Sequence, residues 1–214
     1  MPRNKHPEQT VQAILDASLK LFCEKGFDET TILDIVEEMG ASRGAFYHHF
    51  KSKKEVLYAL LERRFDREMQ LKVYHDESLT GLEKVRNLLI GSIGSAHNAE
   101  DVQLTQMSLD LLKDPRVLAE HIKEMQGPDS ADLKILVEEA MEDGSIEKQD
   151  PQTLAELILL LLTFWLLPTI YPVTDEAYEE KILTIKRVLD GVGCPLIDEK
   201  SIEILRGFAD KHTI

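Results

Sequence analysis

The sequence has few of the residues that characterise secreted, zinc-binding and membrane proteins. Cys23 and Cys194 are the only cysteines, which excludes a disulfide-rich scaffold and a zinc site of the Cys-x-x-Cys type. The most apolar run, residues 157–167, has 11 residues, whereas a membrane-spanning helix needs about 20. The charged first residues are not followed by the apolar segment of a signal peptide. We therefore expect a soluble protein of the cytoplasm with no membrane partner.

Residues that break helices are also scarce. The 214 residues include 11 Gly and 8 Pro, and no proline lies between Pro7 and Pro115. Leu and Glu are abundant while Val and Thr are few, which favours helices over strands. The fold is therefore predicted to be all-α, and a hydrophobic content of 43% can fill a sizeable core.

Basic residues are not in excess, since the net charge is −14, which by itself argues against a nucleic-acid partner. The charge is unevenly distributed, however. Residues 1–72 contain 12 basic and 12 acidic side chains, and residues 73–214 contain 13 and 27. Residues 40–54 include Arg43 and three lysines but no acid. This step in charge predicts two domains with different partners.

A short helix, a tight turn and another short helix are predicted between residues 31 and 49. Thr31 and Ser42 suit the N-cap positions of the two helices, and Gly40 suits the end of the first. Ser52-Lys-Lys-Glu55 predicts a capping box at the start of a longer helix. Two short helices joined by a tight turn form a helix-turn-helix, whose second helix fits the major groove of DNA. The same geometry also occurs as plain packing.

The side chains of the second short helix favour the DNA-binding interpretation. Phe46 and Phe50 are four residues apart and are predicted to anchor the helix on the core. The outward-facing residues are then Arg43, Gly44, Tyr47 and His48. An arginine can donate to guanine, a glycine allows close approach to the duplex, and a tyrosine hydroxyl can bond a phosphate.

These residues resemble the N-terminal domain of the TetR family of bacterial transcriptional regulators. The matching motifs are Ile14-Leu15-x-Ala17, Leu21-Phe22-x-x-x-Gly26-Phe27, Thr30-Thr31, Ile35 and Gly40-x-Ser42-x-Gly44-x-Phe46-Tyr47-x-His49-Phe50. The resemblance implies a three-helix helix-turn-helix domain, residues 1–55, followed by a larger helical domain, residues 56–214, that binds an effector and dimerises. It also implies two sets of DNA-binding residues. The recognition surface is Arg43, Gly44, Tyr47 and His48, and the phosphate-positioning residues are Thr31, Ser42, His49 and Lys53.

The function implied by the resemblance is that of a repressor. It would bind a palindromic double-stranded operator and lose affinity when an unknown small molecule binds. No Ser/His/Asp group or Gly-rich phosphate loop is visible, so we expect neither an enzyme nor a cofactor. Two alternatives are an enzyme, which would turn over a metabolite, and a protein-interaction module, which would lack salt-sensitive DNA affinity.

The last helices are candidates for a dimer interface. Residues 157–167 are apolar almost all round, which requires cover on every side. Tyr178, Ile182, Ile185 and Leu189 form one stripe of the following helix. The resemblance implies that these helices pair with those of a second copy through residues 151–192; the alternative is that they form the core of a monomer.

An effector pocket is expected between the middle helices. The candidate lining residues are Met107, Leu111, Met125, Phe164 and Trp165, each of which is also a common type of core residue. His75, His97 and the pair His121-x-x-Glu124 raise the possibility of metal binding. Solvated side chains explain these residues better, so no metal site is expected.

Overall fold

The computed structural model describes residues 7–64, 72–91 and 99–212, and within these ranges the regular elements are all helical. The N-terminal helices are α1 (Pro7–Lys25), α2 (Ile32–Glu38), α3 (Arg43–His49) and α4 (Lys53–Arg64). The later helices are α5 (Gly81–Arg86), α6 (Ala99–Leu111), α7 (Pro115–Gln126), α8 (Pro128–Glu142), α9 (Pro151–Leu159), α10 (Asp175–Gly191) and α11 (Glu199–His212). Two π-helical turns, Asn87–Gly91 and Leu160–Trp165, continue α5 and α9. The prediction of an all-α fold is confirmed.

The described residues divide into two compact units. The first takes those of Met1–Asp66 and Ala99–Ser108, and the second takes those of Arg67–Asn98 and Leu109–Ile214. The predicted domain boundary between residues 55 and 56 does not coincide with the boundaries of these two units, and it stays a prediction. No helix in the described ranges combines the length and the hydropathy needed to cross a membrane.

The first unit is built on apolar side chains contributed by each of α1 to α4. Ile14, Phe22, Ile35, Phe46 and Leu57 are all fully buried. Burying a side chain of this size contributes about 1.5–3 kcal/mol relative to leaving it exposed. Phe46 is the member of this core that the sequence predicts as an anchor, and its burial confirms that prediction.

The second unit is centred on α8, which packs against α5, α7 and α9. Its crossing with α5 is unusually close, because a Cβ on Gly81 would lie 2.3 Å from the backbone nitrogen of Ala140. The Gly81 N–H donates to the Asp143 carboxylate at 2.6 Å, and the Lys84 ammonium contacts the Glu139 carboxylate. Glycine is therefore required at residue 81 for the two helices to meet.

The apolar stripe of α10 lies in the core of this chain. Tyr178, Ile182, Ile185 and Leu189 are each at most 1% exposed. Of the two possibilities that the sequence left open, the structure therefore selects cover by the chain itself for this stripe. Any contact between α10 and a second copy must use the opposite face of the helix.

The helix that contains the apolar run 157–167 changes its form along its length. The α-helical pattern ends at Leu159, and Leu166 N–H donates to the Leu161 carbonyl in the wider π pattern. The Thr163 hydroxyl donates to the Leu159 carbonyl at 2.8 Å. A threonine that bonds the carbonyl four residues earlier competes with the backbone ladder, which accounts for the change of pitch.

The predicted capping box at α4 is half right. The Glu55 N–H donates to Ser52 Oγ at 3.2 Å, as a capping box requires. The Glu55 carboxylate, however, accepts from the N–H of Lys51 at 2.7 Å, one residue before the position that the motif predicts. A carboxylate on the first turn reaches either N–H, because both belong to the unpaired donors that precede a helix.

The capping box of α2 generates a pH prediction. The backbone N–H and the hydroxyl of Thr31, and then the Lys25 ammonium, lower the pKa of Asp34 from 3.8 to about 2. A lowered pKa contributes stability that is present above pH 3.8 and is lost as the pH falls towards 2. We expect Asp34→Asn to lower the free energy of unfolding at neutral pH, with the difference from wild type disappearing over that interval.

Urea unfolding followed by circular dichroism at a series of pH values measures this difference. Glu37→Gln is the matched control, because it removes an exposed carboxylate from the same helix. A difference between Asp34→Asn and wild type that stays constant down to the lowest pH would contradict the prediction.

Candidate nucleic-acid interface

Local hydrogen bonds fix where α2 and α3 begin. Thr31 Oγ1 accepts from the Asp34 N–H at 3.1 Å, and the Asp34 carboxylate accepts from the Thr31 N–H at 2.8 Å. Ser42 Oγ accepts from the Ala45 N–H at 3.3 Å. Between the two caps, Gly40 has a φ of +64°, a left-handed conformation that glycine adopts without strain. The two predicted N-caps and the predicted turn are confirmed.

The third helix has a buried side and an exposed side. Phe46 is 0% exposed and Phe50 is 8% exposed, with their ring centroids 6.2 Å apart. Tyr47 is 55% exposed, and Arg43 and His48 are also exposed. The structure therefore confirms the aromatic anchor and brings the predicted recognition residues together on the solvent side of α3.

Gly44 lies on the same exposed surface. A Cβ placed on it would meet only Ser42 Oγ, at 3.7 Å, among the described residues. Packing within the chain therefore does not require a glycine here. A bare backbone at this place leaves room for another molecule to approach α3 closely.

His49 faces partly inward, at the end of α3. Its ring contacts that of His48 with centroids 4.9 Å apart, and its Nε2 atom is buried without a hydrogen-bond partner among the described residues. Unpartnered buried nitrogens are uncommon in folded proteins. The phosphate-positioning role of His49 stays a prediction.

Lys53 is held by the loop that follows α1. Its ammonium donates to the carbonyl oxygens of Phe27 at 2.6 Å and Asp28 at 3.1 Å, and lies 4.7 Å from the centre of the Phe27 ring. Burial lowers the pKa of Lys53, although nearby acidic side chains oppose this change. The ammonium therefore fastens this loop to the start of α4, and its predicted phosphate contact is untested.

A concave region lies between α7 and residues 151–165, which comprise α9 and the π-helical turn that continues it and are called the α9 segment. It has a volume of about 250 Å³ and is lined by Ile122, Met125, Gln126, Glu156, Leu160 and Phe164. Of the five predicted pocket residues, Met125 and Phe164 line this cleft. Leu111 is half-buried, and Met107 belongs to the first compact unit. The grouping of all five in one pocket stays a prediction.

Trp165 lies beside this cleft in the chain but is engaged elsewhere. Its carbonyl oxygen accepts from the Lys181 ammonium at 3.0 Å, and the same ammonium lies 5.3 Å from its ring centre. The Tyr171 ring contacts the other side of the cation at 4.9 Å and meets the Phe164 ring edge-on. Trp165 is thus connected to the cleft residue Phe164 through Lys181 and Tyr171.

Sequence reasoning missed four cleft residues, of which Glu156 carried a recognisable signal. It is the only charged residue between Asp150 and Asp175. Glu156, Leu160 and Phe164 also recur at intervals of four, so they share one side of the helical segment. A charged side chain in an apolar run is costly to bury unless it has a partner, which makes such a residue a candidate for ligand binding.

His121 has a structural contact in place of a metal. Its Nε2 lies 3.0 Å from the carbonyl oxygen of Thr163, in the π-helical turn. Histidine commonly bonds the unpaired carbonyls at the end of a helix in this way. Among the described residues, no group of three His, Cys, Asp or Glu side chains is placed to hold a metal ion. His97 lies outside the described residues.

Comparison with known proteins points to one family. Residues 14–60 match the family model described as bacterial regulatory proteins, tetR family. The uncharacterized HTH-type transcriptional regulator YuxN of Bacillus subtilis is 30% identical over 115 residues, which cover 52% of this chain and 40% of that protein. The HTH-type transcriptional repressor Rv1474c of Mycobacterium tuberculosis is 38% identical over 69 residues, covering 32% of this chain and 36% of that protein.

The solved structures extend the likeness beyond the N-terminal helices. A crystal structure of a TetR-family transcriptional regulator from Pectobacterium atrosepticum superposes with a TM-score of 0.61 at 23% identity, covering 89% of this chain and 97% of that chain. At this identity the likeness is one of fold. The sequence matches to the curated relatives span less than half of their length, at 40% and 36%.

The geometry at Lys53 generates a stability prediction. We expect Lys53→Met to lower the free energy of unfolding of the first unit by about 1–2 kcal/mol, because two carbonyl oxygens lose a charged donor. Lys51→Met is the matched control, since the exposed Lys51 carries the same charge two residues earlier. Chemical denaturation compares the two variants. Equal loss in both would show that the contacts of Lys53 contribute no more stability than a surface charge.

Proposed function

We propose that this protein is a bacterial transcriptional regulator of the TetR family and a sequence-specific repressor. The match of residues 14–60 to the family model and the likeness in fold to a TetR-family crystal structure support the proposal. The family consists of DNA-binding regulators and not of enzymes. The observation that carries the proposal is α3, which buries Phe46 and exposes Arg43 and Tyr47 in a stretch without acidic residues. The proposed DNA-binding domain is residues 1–55.

Readout of a DNA sequence is proposed to come from the exposed side of α3. Arg43 lies in the first turn of the helix, where side chains reach base edges when a recognition helix enters the major groove. Its guanidinium can donate two hydrogen bonds to one guanine. His48 is proposed to belong to the recognition surface with Arg43. The Tyr47 hydroxyl and the residues at the helix starts, Thr31 and Ser42, are proposed to contact phosphates, which set position rather than sequence.

A homodimer is proposed because a helix-turn-helix protein that reads a palindromic operator must itself have two-fold symmetry. The outer face of α10 supports an interface within residues 151–192. Ala177, Thr184 and Gly191 recur on it every seven residues, and Val188 beside them is 40% exposed. Small side chains in such a repeat allow the axes of two helices to approach closely.

Release from DNA by a small molecule is the second half of the proposal. The relative from Mycobacterium tuberculosis is named a repressor, and the cleft of about 250 Å³ in the second unit supplies a place for an effector. We assign effector binding and dimerisation to residues 56–214 and the site of action to the cytoplasm. A ligand that binds about 100-fold more tightly to the form of the protein that does not bind DNA would change the free energy of operator binding by about 2.7 kcal/mol.

The DNA proposal predicts two different mutational effects. After an operator has been selected from a fragment library with the purified protein, Arg43→Ala should relax preference at one base pair of each half-site. The expected cost at that pair is about 1–3 kcal/mol. Tyr47→Phe should weaken all sequences equally, because a phosphate contact carries no sequence information. Binding to a panel of single-base operator variants measures both effects, and unchanged preference in Arg43→Ala would exclude it as a reader.

The dimer proposal is tested by two neighbouring residues of α10. Val188→Glu places a charge on the exposed face and should dissociate the dimer while leaving the protomer folded. Leu189 is 0% exposed, so Leu189→Glu should unfold the chain through an unpaired buried charge. Sedimentation and circular dichroism separate the two outcomes. A wild-type protein that sediments as a folded monomer at micromolar concentration would remove the dimer from the proposal.

A further inference from the structure

The cleft between α7 and the α9 segment has the chemistry of a ligand site. We infer that it binds a small organic cation carrying one aromatic ring, with the Glu156 carboxylate as its counter-ion. This inference rests on the proposal that a small molecule regulates operator binding, and it names the class of that molecule. The site consists of the six lining residues given above and is called the Glu156 cleft.

The size and the lining of the cleft fit one ring. Ile122 and Met125 of α7 face Leu160 and Phe164 of the π-helical turn, so most of the wall is apolar. A dry cavity of about 150 Å³ accepts benzene. The Glu156 cleft, at about 250 Å³, holds a ring of that size with space left for a charged group. The Phe164 ring adds a surface that attracts cations.

The charge of the cleft selects a cation. Glu156 is exposed, and it accepts a hydrogen bond from Gln152 Nε2 at 2.8 Å, which orients the carboxylate without neutralising it. No ion pair joins Glu156 to a lysine or arginine within the described ranges. Residues 73–214, which surround it in the chain, have twice as many acidic as basic side chains. This field raises the local concentration of cations and repels anions.

Two contacts hold the walls of the cleft together. The Thr163 hydroxyl lies 3.1 Å from Met125 Sδ, and His121 Nε2 lies 3.0 Å from the Thr163 carbonyl oxygen. Both contacts join α7 to the π-helical turn, an element that recurs at functional sites in helical proteins. A site whose walls are already connected loses less conformational entropy when a ligand binds.

Calorimetric titration of the full-length protein with three probes of the same shape tests the inference. The probes are phenethylammonium, phenethyl alcohol and phenylacetate, which differ mainly in the charge of the group attached to the ring. We expect the cation to bind most tightly and the anion to bind least. Glu156→Gln keeps an acceptor for Gln152 and should weaken the cation about tenfold while leaving the alcohol unchanged.

Glu142→Gln is the matched control, because it removes an exposed carboxylate of the same unit that does not line the cleft. The inference is overturned if the cation does not bind, if it binds no better than the alcohol, or if Glu142→Gln weakens it as much as Glu156→Gln does. Absence of binding together with cover of the cleft by a second copy, detected by thiol cross-linking of a Leu160→Cys variant, overturns it as well.

Operator binding is measured separately, so that the two proposals can fail independently. Phenethylammonium binding that depends on Glu156 in a protein without operator affinity would support the cleft and remove the proposed function. Operator release by another compound, in a protein that does not bind phenethylammonium, would support the proposed function and overturn the cation assignment.

Discussion

The possible contacts of α3 with another molecule depend on the burial of Phe46. A helix of seven residues is not stable alone in water, because the first turn costs more than its few hydrogen bonds return. Phe46 is fully buried, and its contacts with Phe50 and Tyr47 fix the rotation of the helix about its axis. Residues four apart share a helix face, so this rotation determines that Arg43 and Tyr47 point outward together. The core thus determines the orientation of the exposed surface.

Polar contacts stabilise the first unit in addition to its small apolar core. The Thr30 hydroxyl donates to the carbonyl oxygens of Gly26 and Leu21, and Lys53 donates to those of Phe27 and Asp28. Gly26, Phe27 and Asp28 follow the end of α1, so their carbonyl oxygens lie outside the helical ladder and these donors satisfy groups that would otherwise need water. The consequence is a double constraint on Lys53. Its charge is near the proposed DNA surface, yet its ammonium already stabilises the loop that follows α1.

Features encoded by local chemistry were predictable from the sequence, and features that depend on distant partners were not. The caps at Thr31 and Ser42 and the anchor at Phe46 follow from neighbouring residues, and the structure has them as predicted. The position of the Lys53 ammonium depends on carbonyl oxygens 25 and 26 residues away, which charge patterning does not reveal. For α10, periodicity identified the apolar stripe but not what covers it, because burial by the same chain and by a second copy require the same residues.

At the candidate ligand site, too, features set by neighbouring residues were predictable and contacts with distant residues were not. The site also indicates how ligand binding would affect DNA binding. The Glu156 position and its spacing to Phe164 were readable in the sequence, whereas the opposite wall on α7 is brought there by packing in the second unit. A ligand changes DNA affinity only through a difference in its own affinity for two states of the protein. The contacts of Thr163 with Met125 and His121 are bonds that a molecule placed between Phe164 and α7 would strain or reinforce. If the proposed effector acts there, reciprocity requires operator DNA to weaken the binding of the ligand by the same factor.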